Sequence, residues 1–255
     1  MTKYDEKMAN KEKAKKKDKK QMMLLRVLLG LLIAAFLALV VFIVYSEVQK
    51  KYKATDAPYL TVNGEDISRL EFDYYYNSFS NSYINTYSSA FEYMGVDSNA
   101  DITDQNYDNE QTFGEYFTNC AIDQIKTIKA LNELGNKEGF TVDVEKEYTD
   151  FIDKINSSLD GSDNKIEDYF KKFYGKYATP ENIKPFLQEG FYASDYTDEL
   201  VKRNMPSDEE AKEYMEKNNI TEDIASLEDV KNSMAAEKAS EYVNELKEGY
   251  EAVFK

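Results

Sequence analysis

Hydrophobic positions follow two regimes along this chain. From Val27 to Tyr45 nineteen consecutive residues carry no charge, whereas beyond residue 58 apolar side chains recur three or four positions apart among polar ones. A helix of that length rises about 28 Å, close to the hydrocarbon thickness of a bilayer. The first regime therefore predicts a single transmembrane helix, placed at 23–45. The second predicts amphipathic helices, each burying one face.

In the first of these helices Phe72, Tyr75, Tyr76, Phe79, Tyr83, Tyr87 and Phe91 share one stripe, and Tyr74 lies off it. Ser68 and Glu71 head it as a capping box, hydroxyl and carboxylate each satisfying a free amide at the helix start. The next helix runs from Phe113 to Leu134, with Phe117, Cys120, Ala121, Ile125, Ile128 and Leu131 inward, and Gly135 is expected to stop it. Helix starts are signalled again after Asp143, Asp163, Thr179 and Ser207, the third with Pro180 at the first helical position. A closing helix is expected at 226–252, and Pro185 should shorten or bend the helix it enters. Only Tyr59–Val62 reads as strand, ahead of the tight-turn pair Asn63-Gly64. The fold class is thus mainly α: a basic tail at 1–22, the span at 23–45, a polar stalk at 46–58, and a helical body at 59–255 that opens on one short strand and turn.

Charge divides along the same line. Residues 1–53 carry 13 basic and 5 acidic side chains, net +8, and residues 54–255 carry 19 and 43, net −24. Seven lysines between Lys11 and Lys20 precede the span, and basic residues favour the cytoplasmic side. This predicts a single-pass protein of the cell membrane with a cytoplasmic N-terminus and an extracytoplasmic body. A cleaved signal peptide would have a shorter apolar run and a small-x-small cleavage site; the exit Ser46-Glu47-Val48-Gln49 offers none, so the helix is taken as a retained signal-anchor. Within it Gly30, Ala34 and Ala38 recur every four residues, spacing that suits homodimerisation through close helix approach, although small residues are common in spans generally.

Composition narrows the chemistry. An acidic body repels nucleic acid and anionic head groups, and 21 Tyr with 14 Phe argue for a folded one. The single cysteine, Cys120, allows no internal disulfide and is expected to act as a small buried hydrophobe. With no histidine anywhere, neither a Ser-His-Asp nor a Cys-His arrangement can be assembled. Phosphate-binding glycine loops are missing as well. Any catalysis would rest on carboxylates, among which no pair stands out, so no catalytic residue and no cofactor are assigned. Asp97, Asn99 and Asp101 copy the opening of a calcium-binding loop, but Ile102 stands where glycine is required and Asp108 where the closing glutamate belongs. A solvated acidic loop without metal is expected there.

The stretch from Leu60 through Val62-Asn63-Gly64 and Ile67-Ser68 to Glu71-Phe72 resembles the opening of the SurA/PrsA family of extracytoplasmic folding factors. Ala130-Leu131 to Gly139-Phe140-Thr141-Val142 is similar to that family's helix, glycine-containing turn and next helix, Ser207–Lys217 to its acidic segment, and Ser226–Lys247 to its closing helix. The family usually carries a parvulin-type prolyl isomerase domain between the last two segments. Only nine residues separate Lys217 from Leu227, and the parvulin site relies on histidine. The resemblance therefore implies the helical chaperone part alone, with no isomerase activity.

That implies a membrane-anchored holdase that grips unfolded or secreted polypeptides by hydrophobic contact. Tyrosine suits the task, offering a flat apolar face and a polar tip. The rings expected to meet clients are Tyr74, Tyr75, Phe79, Tyr83 and Tyr87, though such a stripe more often packs as core; a cradle between the first and final helices of the body would favour chaperoning, and a closed bundle would not. The alternative is an envelope adaptor that binds one dedicated partner without general chaperoning.

Overall fold

The computed structural model describes residues 36–97, 99–160 and 165–255. The chain divides into two units between Lys53 and Ala54. Of the first, the described part is helix α1 (36–55), which carries on through most of the predicted stalk and ends two residues into the second. Residues 36–45, the described part of the predicted span, are all exposed, Phe42 at 67% among them. The basic tail, residues 27–35 of the uncharged run, and Gly30 and Ala34 lie outside the described residues. Among the described residues no helix is long and apolar enough to cross a membrane.

The second unit opens with a hairpin. Strands β1 (Pro58–Val62) and β2 (Glu65–Ser68) pair antiparallel with Val62 opposite Glu65. The two residues between them, Asn63 at φ 50° and Gly64 at φ 80°, both take the left-handed region, which Asn tolerates and Gly enters freely. A third strand, β3 (Ala252–Phe254), pairs antiparallel along the other edge of β1, giving the order β2-β1-β3. The sheet thus has three strands where one was expected. β2 has a single apolar residue in four and β3 is only three residues long, so neither displays a period of two.

Helices α2 (Arg69–Tyr87), α3 (Phe113–Glu138), α4 (Val144–Leu159), α5 (Ile166–Tyr174), α6 (Pro180–Arg203), α7 (Asp208–Lys217) and α8 (Leu227–Glu248) complete the body. All but α5 begin at a Ser, Thr or Asp whose side chain accepts a first-turn amide, so the polar residue ahead of each apolar run sets the start. The ends are less legible. α3 continues past Gly135 and stops at Gly139, where φ is 75°. Gly135 serves packing instead: a Cβ there would stand 2.8 Å from the Tyr192 ring of α6, which would have to move aside. α6 runs on through Pro185, and α8 ends at Glu248, short of the expected 252.

Leu60, Val62 and Ile67 of the sheet pack with Phe72 and Tyr75 of α2, Ile125 and Leu131 of α3, Tyr196 of α6 and Val243 of α8 in one core. Each fully buried apolar side chain of this kind contributes about 1.5–3 kcal/mol. A second cluster joins Leu70 to Ile155, Phe170, Ile183 and Leu187 of α4–α6, and a small third one, Ala211, Met215 and Val230, seats α7 on α8. Helix α8 lies on α3 and α6 with Ala235 and Ala239 buried.

Candidate functional site

Helix α2 passes from the core to the surface along its length. Phe72 and Tyr75 are 3% and 1% exposed, Phe79 and Tyr83 are half-buried, and Tyr87 is 46% exposed. Facing the distal half are Phe113 and Phe117 of α3, both fully buried, which form the floor beneath the outer rings. Tyr83 is the hub: its centroid lies 4.6 Å from Tyr87, 5.5 Å from Phe117 and 5.7 Å from Tyr116. Phe79 meets Tyr116 edge-on at 5.9 Å, and Tyr107 stacks on Tyr116 at 3.9 Å with the planes 4° apart. Five partly exposed rings, Phe79, Tyr83, Tyr87, Tyr107 and Tyr116, thus share one surface. An open cleft of about 720 Å³ adjoins it, lined by Phe79, Gln111, Tyr116, Asn119, Cys120 and Gln124 among others.

The acidic loop supplies Tyr107. Gln105 accepts the Asp97 amide at 2.7 Å and donates to the Asp97 carbonyl at 2.9 Å, Asp108 accepts the amides of Glu110 and Gln111, and the Phe113 amide bonds the Gln105 carbonyl. The 3₁₀ turn 102–104 within it rests on the first turn of α3, where only glycine fits: a Cβ at Gly114 would be 2.9 Å from the Thr103 carbonyl oxygen. The carboxylates of Asp97, Asp101 and Asp108 are thereby spent on neighbouring amides, Asp101 on Thr103 and Asp97 on Asn99. Among the described residues no three His, Cys, Asp or Glu side chains are placed to hold a metal.

The five rings expected to meet clients therefore separate. Phe79, Tyr83 and Tyr87 come together on the surface. Tyr75 does not: it is a core residue, because the sheet, α3 and α6 all converge on its end of the helix. Its hydroxyl is buried without a hydrogen-bond partner among the described residues, and burial pushes its pKa well up. Tyr74 turns to the opposite side, against Tyr174 and Phe186, and lines a separate cleft of about 620 Å³ with Ser78, Asn81 and Phe173. Tyr107 and Tyr116 were missed by periodicity, one lying in a loop and the other beside the inward face of α3. Their signal is aromatic residues flanking a capped helix start. Cys120 is half-buried at the rim of the larger cleft, and burial raises its thiol pKa, so it stays neutral and weakly nucleophilic.

Glu71 departs from its expected role. Ser68 Oγ accepts the Glu71 amide at 3.1 Å, but the carboxylate turns away from the cap to lie 3.1 Å from Lys129 Nζ of α3. Lys129 directs its hydrogen bonds to Glu65 of β2 and Glu189 of α6, leaving three carboxylates around one ammonium. Burial, partly opposed by Lys129, raises Glu71 to about 7. The surrounding carboxylates push Lys129 upward, so it stays charged. This cluster ties β2, α2, α3 and α6 together at the buried end of α2.

Neither a family model nor any curated protein or solved structure matches this chain. The arrangement of rings is therefore interpreted on its own chemistry: a mixed aromatic surface that can take up apolar side chains on ring faces while hydroxyl tips remain wet.

Proposed function

We propose that this chain is a membrane-anchored extracytoplasmic holdase that shields unfolded or secreted polypeptides at the surface formed by Phe79, Tyr83, Tyr87, Tyr107 and Tyr116. One observation carries the proposal: a helix that buries its aromatic residues at one end leaves the same residue types partly exposed at the other, beside an open cleft. Contiguous partly exposed rings rimmed by polar groups mark surfaces that bind other chains. The tethered topology is supported by the basic tail, the uncharged run and the exposure of Phe36 to Tyr45, since a helix that apolar on its outside is stable in lipid. The Val62-Asn63-Gly64 to Phe72 stretch supports a SurA/PrsA-like body that works without an isomerase.

The test is suppression of aggregation of an unfolded model protein by residues 54–255, which form a compact unit. Suppression should occur near equimolar ratio and be lost in Tyr83→Ser with Tyr87→Ser. No suppression at severalfold excess would remove the holdase. Crosslinking of the full chain in membranes separates the alternative: many weakly populated adducts fit a holdase, and one stoichiometric adduct fits an adaptor.

A further inference from the structure

Between Leu70 and Ile125 there is no Lys or Arg, yet this stretch contains ten carboxylates and the entire aromatic surface. The rest of the body is different, with 18 basic residues interleaved among 30 acidic ones from Lys126 to Lys255. Of the ten, Asp73 pairs with Arg69, Glu71 with Lys129 and Asp123 with Lys247. The other seven, Glu92, Asp97, Asp101, Asp104, Asp108, Glu110 and Glu115, are exposed and have no ion-pair partner among the described residues. Two are chain neighbours of ring residues: Asp108 follows Tyr107 and Glu115 precedes Tyr116. Asp104, Glu110 and Glu115 line an acidic cleft of about 530 Å³ that also holds Tyr76, and this cleft shares Gln111 and Asn119 with the aromatic one.

We propose that the aromatic surface selects cationic segments, in which Lys or Arg residues lie among apolar ones. This rests on the holdase reading and names the class of client. Tyrosine faces attract ammonium and guanidinium groups as well as apolar side chains. Asp104 and Glu110, whose carboxylates are not taken up by hydrogen bonds from amides among the described residues, offer an Arg fork a bidentate partner. Unneutralised rim charge also speeds encounter with opposite charge and rejects like charge. A neutral apolar client would gain only the ring contacts, and an acidic one would be repelled from the rim. Hydrogen bonds from backbone amides hold Asp101 and Asp108 below the usual carboxylate range, so these two keep their charge in mildly acid surroundings.

The experiment uses the full chain in nanodiscs of zwitterionic lipid and three fluorescent peptides with the same apolar core, flanked by Lys/Arg, by Ser or by Glu. The cationic peptide should bind about tenfold tighter than the acidic one at low salt, and the gap should narrow as ionic strength rises beyond ~300 mM. The double variant Asp104→Lys with Glu110→Lys should shrink the gap severalfold, and Asp104→Asn with Glu110→Gln should shrink it less; an unchanged gap in both would overturn the inference. Calcium added together with each peptide should leave the affinities unchanged; competition by calcium would mean that the carboxylates form a cation site and would overturn the selectivity. Equal binding of all three peptides overturns the inference and leaves the holdase standing. Failure of all three to bind removes both.

Discussion

The two ends of α2 carry the same kinds of residue at the same spacing and meet opposite fates. At the proximal end Phe72 and Tyr75 are enclosed by the sheet, α3, α6 and α8, with the Glu71–Lys129 cluster alongside. At the distal end Phe79, Tyr83 and Tyr87 meet rings of α3 and of a loop, while α5 is bonded to the other side of the helix through Asn77 and Asn81. A 3.6-residue period states which face of a helix is apolar. How many neighbours reach that face is decided by elements distant in sequence, and here three of them converge on one end only.

Phe72→Ala tests the contrast most severely. It should cost about 3–5 kcal/mol of stability in urea unfolding of residues 54–255, whereas Phe79→Ala, half-buried, should cost less than half of that. Equal losses would mean the distal end is core after all. The second test is pH. With its folded value near 7 against 4.5 unfolded, Glu71 favours the folded state fully below pH 4.5, and the contribution is lost as pH rises through 7. The groups facing it are Glu65 of β2, Lys129 of α3 and Glu189 of α6. The amount at stake is about 3 kcal/mol, so Tm should fall between pH 5 and pH 8 and the fall should be much shallower in Glu71→Gln. An unchanged slope would mean that Lys129 keeps Glu71 ionised throughout.

A smaller effect is expected at Tyr75. Its buried hydroxyl has no partner among the described residues, so Tyr75→Phe should be neutral or stabilise by about 1 kcal/mol; a loss above that would reveal a hidden hydrogen bond. Smallest of all, Tyr87→Ala should leave the unfolding free energy in urea within about 0.5 kcal/mol of wild type while weakening peptide binding. If it destabilised strongly and bound normally, the two ends would have exchanged roles.

Local signals were read well where one residue type does one local job. The Asn63-Gly64 turn, the Ser and Thr helix starts, and the off-stripe position of Tyr74 are all as the residues imply. The sequence was misleading where a residue answers to something remote. Gly135 resembles a helix stop, but its missing side chain makes room for Tyr192, 57 positions away. Glu71 fits a capping box, yet the lysine of another helix, already bonded to Glu65 and Glu189, draws it off. Tyr107 gave no period at all, since its stacking partner is met through a loop folded by its own carboxylates.

The third strand has a consequence for how the body comes together. The Asn63 amide bonds the Glu251 carbonyl at 2.8 Å and the Lys255 amide bonds the Tyr59 carbonyl at 3.0 Å, so the first and last pieces of this unit are clasped to each other. Contacts that distant along a chain close slowly, and an emerging polypeptide would present β1 half-paired until its final stretch arrived. The same clasp makes the finished body tolerant of a break: a single protease nick between α7 and α8 should leave two fragments that still migrate as one particle until denaturant opens the sheet.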